Sequence, residues 1–145
     1  MKPVLVLSGP NLARLGSREP DVYGTTSYAD LAKLIEGWAS ELGRTADIRQ
    51  TDSEAELIGW LHEAADAGTD VVINPAAFTH YAYAVRDAAA QVTSAGARLI
   101  EIHLTNPATR ERFRHLSVIA GVATGTIAGF GPGSYRLALR ALADD

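Results

Sequence analysis

Residues 4–11 read Val-Leu-Val-Leu-Ser-Gly-Pro-Asn, an apolar run that stops at a turn. Four consecutive apolar residues followed by Gly and Pro are typical of a strand that is buried on both faces, as in a parallel sheet. The same pattern returns in Val71-Val72-Ile73 before Asn74-Pro75, and a further strand is predicted from Ala97 to Leu104. The chain therefore repeats a buried strand followed by a polar turn.

Amphipathic stretches separate these strands. Leu31, Ile35 and Trp38 recur at helical spacing between Ser27, a predicted N-cap, and Gly43, where the helix is predicted to end. Further helices are predicted from Ser53 to about Gly68, from Thr79 or His80 to about Val92, from Pro107 to about Phe113, and from Pro132 to Ala143. The two remaining strands are predicted at Thr45–Thr51 and in the second half of Val118–Phe130.

About five strand–helix units in 145 residues predict one domain spanning residues 1–145. Apolar strands joined by helical crossovers imply a parallel sheet that is covered on both faces. The predicted fold class is α/β, a flavodoxin-like three-layer sandwich with a five-stranded parallel sheet. In such sheets ligands bind outside the carboxyl ends of the strands.

Composition excludes several classes of protein. The chain has no cysteine, which rules out disulfides and thiolate metal sites, and its net charge is −4 without a basic stripe, so nucleic acid is not an expected partner. Its longest apolar runs are too short to span a membrane, and the apolar run at residues 4–7 is too short for a signal peptide. We expect a cytoplasmic protein with no membrane association.

Polar side chains follow three of the predicted strands. If the sheet is parallel, these groups meet at one edge, and this convergence is the main argument for a site there. The groups are Asn11, Arg18, Glu19 and Tyr23 after the first strand, Asn74, Thr79 and His80 after the third, and Glu101, His103, Thr105 and Asn106 at the fourth.

Two pairs in this set have a recognisable chemistry. Glu101 and His103 are two residues apart and point to the same face of a strand, where a carboxylate can orient an imidazole as a general acid. Tyr23 and Arg18 share an irregular loop, where a guanidinium can contribute to the lowering of the tyrosine pKa that a base near pH 7 requires. The alternatives are a structural hydrogen-bonded pair and a loop tyrosine that packs its ring. The basic cluster at residues 110–114 either meets an anionic ligand or is solvated on a short helix.

Longer motifs carry a resemblance to a known family. In chain order they are Leu7-Ser-Gly-Pro-Asn-Leu12, Gly16-Ser-Arg-Glu-Pro-Asp-Val-Tyr-Gly24, Gln50-Thr-Asp-Ser-Glu-Ala-Glu-Leu57, Ile73-Asn-Pro-Ala-Ala-Phe-Thr-His80, Val85-Arg-Asp-Ala88, Glu101-Ile-His-Leu-Thr-Asn106, Arg110-Glu-Arg-Phe-Arg114, Ala123-Thr-Gly125 and Gly129-Phe-Gly131. With these motifs the chain resembles type II 3-dehydroquinate dehydratases over essentially its whole length.

The resemblance implies a cofactor-free and metal-free lyase. Such an enzyme converts 3-dehydroquinate to 3-dehydroshikimate by anti elimination of water through an enolate, in the shikimate pathway of aromatic amino acid biosynthesis or in quinate breakdown. It also implies a homododecamer built as four trimers, that is, a tetramer of trimers. The only other partner implied is the small-molecule substrate, 3-dehydroquinate.

The resemblance further implies a role for each site residue. Tyr23 would be the base, Arg18 would lower its pKa, and a loop from about Ser17 to Gly24 would close as a lid. His103 would be the acid, oriented by Glu101. The remaining implied roles are Asn11 holding a water at the enolate oxygen, Asn74, His80 and Arg114 binding hydroxyls, Leu104 and Thr105 binding the carboxylate, and Asp87 reaching the site of a neighbouring subunit.

Several positions depart from the usual pattern of this family. They are Ser8 for Asn, Asp52 for Asn, Ala76 for Gly, Tyr81-Ala82 for Thr-Ser, and Thr105 for Ser. These departures leave open a divergent relative that dehydrates another cyclic hydroxyketo acid. A non-enzymatic receiver or flavodoxin-like module is a third hypothesis, although a receiver should carry Asp where this chain has Asn74.

Overall fold

The computed structural model describes residues 2–17 and 19–143, without the side chain of Tyr23. Five parallel strands form one sheet in the order β2-β1-β3-β4-β5, which confirms the predicted α/β fold with a flavodoxin-like five-stranded sheet. The strands are β1 (Val4–Ser8), β2 (Ala46–Gln50), β3 (Val71–Asn74), β4 (Leu99–His103) and β5 (Gly125–Ala128). The helices are α1 (Pro20–Tyr23), α2 (Tyr28–Glu41), α3 (Glu54–Ala67), α4 (Tyr83–Ser94) and α5 (Gly133–Ala143).

The strands alternate their side chains between two cores, one on each face of the sheet. Leu5 and Leu7 of β1 pack with α3 and α4, whereas Val4 and Val6 pack with α2 and α5. This division follows from the two-residue period of a strand, and it explains why all four residues are buried. The three layers place the carboxyl ends of β1, β3 and β4 side by side. Within the described part of the chain, no helix combines the length and apolar character that crossing a membrane requires.

Helix α2 and helix α3 begin and end where the sequence predicts. Ser27 accepts a hydrogen bond from the Asp30 amide, and Ser53 accepts one from the Glu56 amide, so both serines are N-caps. Gly68 follows α3 in the left-handed conformation that commonly ends a helix.

Two predicted helices were wrong in detail. The helix predicted from Thr79 or His80 begins at Tyr83, because residues 76–80 form a 3-10 turn and the Thr79 side chain bonds to Glu101 instead of capping a helix. The helix predicted from Pro107 to Phe113 is two 3-10 turns, Pro107–Thr109 and Arg112–His115, separated by Arg110 in an extended conformation.

Candidate active site

A cleft lies at the carboxyl ends of β1, β3 and β4. Most of the predicted site residues that the structure describes converge there, as the parallel sheet requires. The cleft is lined by Pro10, Asn11, Leu12, Asn74, Ala76, Ala77, His80, His103, Leu104, Thr105, Pro107, Arg110 and Arg114. Arg110 is the charged member that the sequence did not single out, and its only signal was the basic cluster at residues 110–114.

His103 and Glu101 form a close pair on β4. His103 Nε2 lies 2.5 Å from Glu101 Oε2, and the glutamate is 1% exposed. Burial raises the pKa of Glu101, but hydrogen bonds from His103, Thr79 and Ser117 outweigh it, so its pKa lies below the ordinary value. The carboxylate is therefore ionised at neutral pH.

The hydrogen bonds around Glu101 support the same protonation state. Ser117 Oγ accepts from the amides of Ile119 and Ala120, so its single proton is directed to its other side, where Glu101 Oε1 lies at 2.8 Å and Thr79 Oγ1 at 2.7 Å. Thr79 Oγ1 donates to Oε2 at 2.5 Å. Since these neighbours all donate, the carboxylate needs no proton of its own. Ser117 was missed by the sequence analysis, because nothing local connects it with a residue sixteen positions away.

The ionised carboxylate fixes how His103 presents itself to the cleft. Because Glu101 only accepts, Nε2 of His103 carries the hydrogen of their shared bond. Nδ1 is then the ring nitrogen left to exchange a proton with a ligand. The side chain of His103 is 15% exposed, so this nitrogen serves a largely desolvated site.

His80 is held in the opposite tautomer to His103. Its Nδ1 lies 2.7 Å from the carbonyl oxygen of Leu116, which can only accept, so Nδ1 carries a hydrogen and Nε2 is left for the cleft. Burial lowers the pKa of His80, and the nearby His103 and Arg114 lower it further, against the bond to Leu116. His80 is therefore neutral near pH 7 and offers an acceptor.

Asn74 ends β3 at the base of the cleft, where it is 3% exposed. Its Nδ2 donates to the hydroxyl of Tyr135 at 3.1 Å, and its Oδ1 accepts from the Ala76 amide at 3.2 Å. Tyr135 belongs to α5 and, like Ser117, was missed from the sequence because it approaches the site from a distant element.

Ala76 adopts a backbone conformation that normally requires glycine. Its φ is +52°, in the left-handed region, which costs a residue with a Cβ roughly 1–2 kcal/mol. The bond from Asn74 Oδ1 to the Ala76 amide helps to hold this turn. The methyl group is thus placed on the lining of the cleft at a backbone cost.

Asn11 reaches the cleft from the end of β1. Its φ is +70°, and its amide donates to Asp52 Oδ1 at 2.9 Å. Asp52 also accepts from the side-chain amide of Gln50, which in turn donates to the carbonyl of Gly9. Asp52, one of the departures from the family pattern, therefore has a structural role in shaping the Asn11 turn.

Basic side chains close one side of the cleft. Arg114 Nε lies 3.2 Å from Glu111 Oε2, and its guanidinium covers the ring of Phe113. Arg110 Nη1 lies 3.5 Å from the Thr105 hydroxyl. With the backbone of Leu104 and Thr105 nearby, this side of the cleft is suited to an anionic group such as a carboxylate.

Apart from the buried Glu101, which reaches the cleft through His103, some predicted residues are not placed there. Arg18 and the side chain of Tyr23 lie outside the described residues, although the backbone of Tyr23 ends the short helix α1. Asp87 is described, and it lies on α4 in an ion pair with Arg86 at 2.8 Å, with its side chain 67% exposed. It does not line the cleft of its own chain.

Comparisons with known proteins agree with this geometry. A sequence model of the family described as Dehydroquinase class II matches residues 2–143. A 3-dehydroquinate dehydratase from Salinispora tropica is 59% identical, with 97% of this chain and 96% of that protein covered. The crystal structure of a type II dehydroquinase from Propionibacterium acnes has 53% identity and a TM-score of 0.96, covering 100% of this chain and 98% of its own. That of a type II dehydroquinase from Butyrivibrio crossotus has 40% identity and a TM-score of 0.92, covering 97% and 96%. The chain belongs to the class II dehydroquinase family.

Proposed function

We propose that this protein is a hydro-lyase that removes water from 3-dehydroquinate to form 3-dehydroshikimate. The observation that carries the proposal is the desolvated His103–Glu101 pair, which opens on the same cleft as Asn74, His80 and two arginines. The match to 3-dehydroquinate dehydratases over nearly the whole chain gives the substrate.

The reaction requires a base, support for an enolate and an acid. A proton beside a ketone is only weakly acidic, so a base and preorganised polar groups at the developing oxyanion are needed. We assign the base to Tyr23, with Arg18 lowering its pKa, on their position in the family motif. Asn11, at the cleft, would hold a water against the enolate oxygen. The enolate then expels the hydroxyl from the opposite face, an anti elimination.

His103 is the acid in this scheme. Hydroxide is a poor leaving group, so the departing oxygen must take up a proton as its bond to carbon breaks. Nε2 of His103 is occupied by Glu101, so the proton is delivered from Nδ1. The ionised Glu101 stabilises the imidazolium that precedes this transfer, so we assign it an orienting and electrostatic role.

The other cleft residues bind the substrate. Asn74 and His80 would bind ring hydroxyls, the former as a donor and the latter as an acceptor. Arg114 would bind a further hydroxyl, and the carboxylate would lie against the backbone of Leu104 and Thr105 and the Thr105 hydroxyl. We expect no metal ion or organic cofactor to be required, so treatment with EDTA should leave the rate unchanged.

We further propose that the protein works as an assembly of its own copies, a homododecamer of four trimers. Large apolar side chains are exposed on the chain, including Tyr83 (70%), Phe130 (65%) and Leu116 (63%), and such residues are available to pack against another copy. Asp87, which does not line its own cleft, would contact the site of a neighbouring subunit. Light scattering at several concentrations measures the assembly, and a monomer at all of them would contradict this proposal.

The test of function is ultraviolet absorbance in the band of the conjugated enone product after addition of 3-dehydroquinate. The parent protein should produce a steady rise. Tyr23→Phe should produce none while its circular dichroism and thermal unfolding remain those of the parent. No rise with folded parent protein would contradict the proposed activity, whereas a rise with Tyr23→Phe would contradict only the assignment of the base.

A divergent activity is the second candidate, and the strained Ala76 on the cleft lining is the observation that favours it. The added methyl could select another cyclic hydroxyketo acid that undergoes the same elimination. A panel of such acids separates the two candidates. A higher kcat/KM for another member than for 3-dehydroquinate would favour the divergent activity.

A further inference from the structure

A tyrosine buried beneath the cleft is not used by the mechanism above. Tyr135 of α5 is fully buried, and its hydroxyl lies 2.8 Å from Ser8 Oγ and 3.1 Å from Asn74 Nδ2. Burial raises the pKa of Tyr135 to about 12, against the hydrogen bonds to Ser8 and Asn74, so the side chain remains a neutral phenol. It therefore keeps both a donor and acceptor positions at neutral pH.

The hydrogen bonds of Asn74 show what this phenol can do. A carboxamide has an acceptor oxygen and a donor nitrogen, and exchanging the two reverses its polarity toward a ligand. Here the oxygen faces the amide of Ala76 and the nitrogen faces Tyr135. In the reversed orientation the nitrogen would meet the amide of Ala76, donor against donor. The Ala76 amide therefore selects this orientation, and the Tyr135 hydroxyl supports it by accepting from Nδ2.

The orientation leaves one N–H of Asn74 for a ligand. One hydrogen on Nδ2 is used by Tyr135, and the second is available at the cleft that Asn74 lines. His80 offers the complementary acceptor, Nε2, because its Nδ1 is bound to Leu116. A hydroxyl can accept from the first and donate to the second, whereas a ketone can only accept and an ammonium group can only donate.

We infer that Tyr135 is a positioning residue, locked by Ser8, that holds the Asn74 carboxamide with its N–H toward a substrate hydroxyl. The inference deepens the proposed function and rests on it for the identity of the substrate. Ser8 is one of the positions where this chain departs from the family pattern. Its hydroxyl bonds directly to the phenol and so connects Ser8 through Tyr135 to Asn74.

A double-mutant cycle distinguishes positioning from a purely structural role. The variants are Tyr135→Phe, Asn74→Ala and the two combined, and Tyr28→Phe is the matched control. Tyr28 packs against the same core as Tyr135, whereas the side chain of Asn74 bonds to Tyr135 and to the Ala76 amide. KM, kcat and the thermal midpoint are measured for each variant with 3-dehydroquinate.

Tyr135→Phe should raise KM about tenfold, the factor that corresponds to roughly 1.4 kcal/mol, and lower kcat less. In the Asn74→Ala background the same substitution should leave KM unchanged, because the group that Tyr135 positions is already gone. Tyr28→Phe should leave KM at the parent value. An unchanged KM for Tyr135→Phe, or an equal rise in both backgrounds, would overturn the inference.

Two further experiments keep the inference testable if Tyr135→Phe does not fold or if the parent protein has no dehydratase activity. If Tyr135→Phe does not fold, Ser8→Ala is used in the same cycle and should raise KM in the same direction, by a smaller factor. Independently, the side-chain amide signal of Asn74 in nitrogen-15 spectra, identified by its disappearance in Asn74→Ala, should exchange with solvent faster in the Tyr135 or Ser8 variant. Equal exchange would overturn the inference even if the parent lacks dehydratase activity, a result that would by itself contradict the proposed function.

Discussion

Ser117 lies in the segment at the basic side of the cleft. Its hydroxyl bonds to Glu101, the carboxylate that orients His103. Removing its hydroxyl as Ser117→Ala takes one donor from a buried charge, and a hydrogen bond to a charged group is worth roughly 1.5–3 kcal/mol. The pKa of Glu101 is depressed in the folded protein, so the ionised pair exists above that pKa and is lost as pH falls through it. With one donor fewer the pKa rises, and we expect the acid limb of the kcat profile to move to higher pH.

The control for this prediction is Ser53→Ala. Ser53 is also a serine that accepts a backbone amide bond, but it caps α3 and is not among the residues that line the cleft. It should lower stability by about 1 kcal/mol without moving the pH profile. A Ser117→Ala profile that coincides with that of the parent would show that Ser117 stabilises its turn and does not act on Glu101.

Ala76 tests the cost of a side chain in the left-handed region. Ala76→Gly should stabilise the fold by about 1 kcal/mol, because glycine adopts a positive φ without the penalty of a Cβ. Ala77→Gly is the matched control in the same 3-10 turn, and it should be neutral or destabilising because its φ is not positive. Denaturant unfolding of both variants measures the difference. Equal changes at the two positions would contradict strain at Ala76.

At the scale of elements, the end of β1 lies directly against the turn after β3. A Cβ built on Gly9 would lie 2.6 Å from the carbonyl oxygen of Pro75, closer than real contacts allow. Gly9→Ala must therefore separate two neighbouring strand ends, and we expect it to destabilise the protein by roughly 2 kcal/mol or more.

The matched control for Gly9 is Gly37, which lies on the exposed face of α2 with open space around it. Gly37→Ala should stabilise the protein by about 0.5–1 kcal/mol, because alanine is the better helix former. Opposite signs in thermal unfolding are the expected result. A Gly9→Ala variant as stable as the parent would show that the β1 and β3 ends can move apart at little cost.

The elements that the sequence predicts well are those fixed by local patterns. Ser27 and Ser53 as caps, Gly68 as a helix end and the buried strands follow from spacing and composition alone. The start of α4 does not, because Thr79 bonds to a carboxylate on another strand instead of opening a helix. The same limit applies to the site. Glu101 and His103 were predictable from their spacing on one strand, whereas Ser117 and Tyr135 reach their partners only through the tertiary fold.

At the scale of the whole molecule, the electrostatics of the site differ from those of the chain. The net charge is −4, yet Arg110 and Arg114 converge on the cleft with two histidines, and Glu101 is buried beneath. A protein can therefore be acidic overall and still present a cationic site to an anionic substrate, because field strength depends on local geometry and desolvation. The fold supplies that geometry by bringing three strand ends together.

The whole molecule also decides whether one chain is sufficient for activity. Asp87 is exposed on α4 and absent from the lining of its own cleft, so a role in catalysis requires a second copy. Asp87→Asn and Asn74→Ala chains should each assemble into proteins of low activity. Unfolded together in equal amounts and refolded, they should recover about one quarter of the parent rate, since roughly half of the clefts keep Asn74 and half of these meet an intact Asp87.

Asp66→Asn, another exposed acid on a helix, is the control and should retain full activity alone. Asp87→Asn chains with parent activity would mean that each cleft works without its neighbour. If the mixed protein is no more active than the average of the two separate proteins, Asp87 and Asn74 serve the same site of one chain. The position of Asp87 on α4 opposes that result.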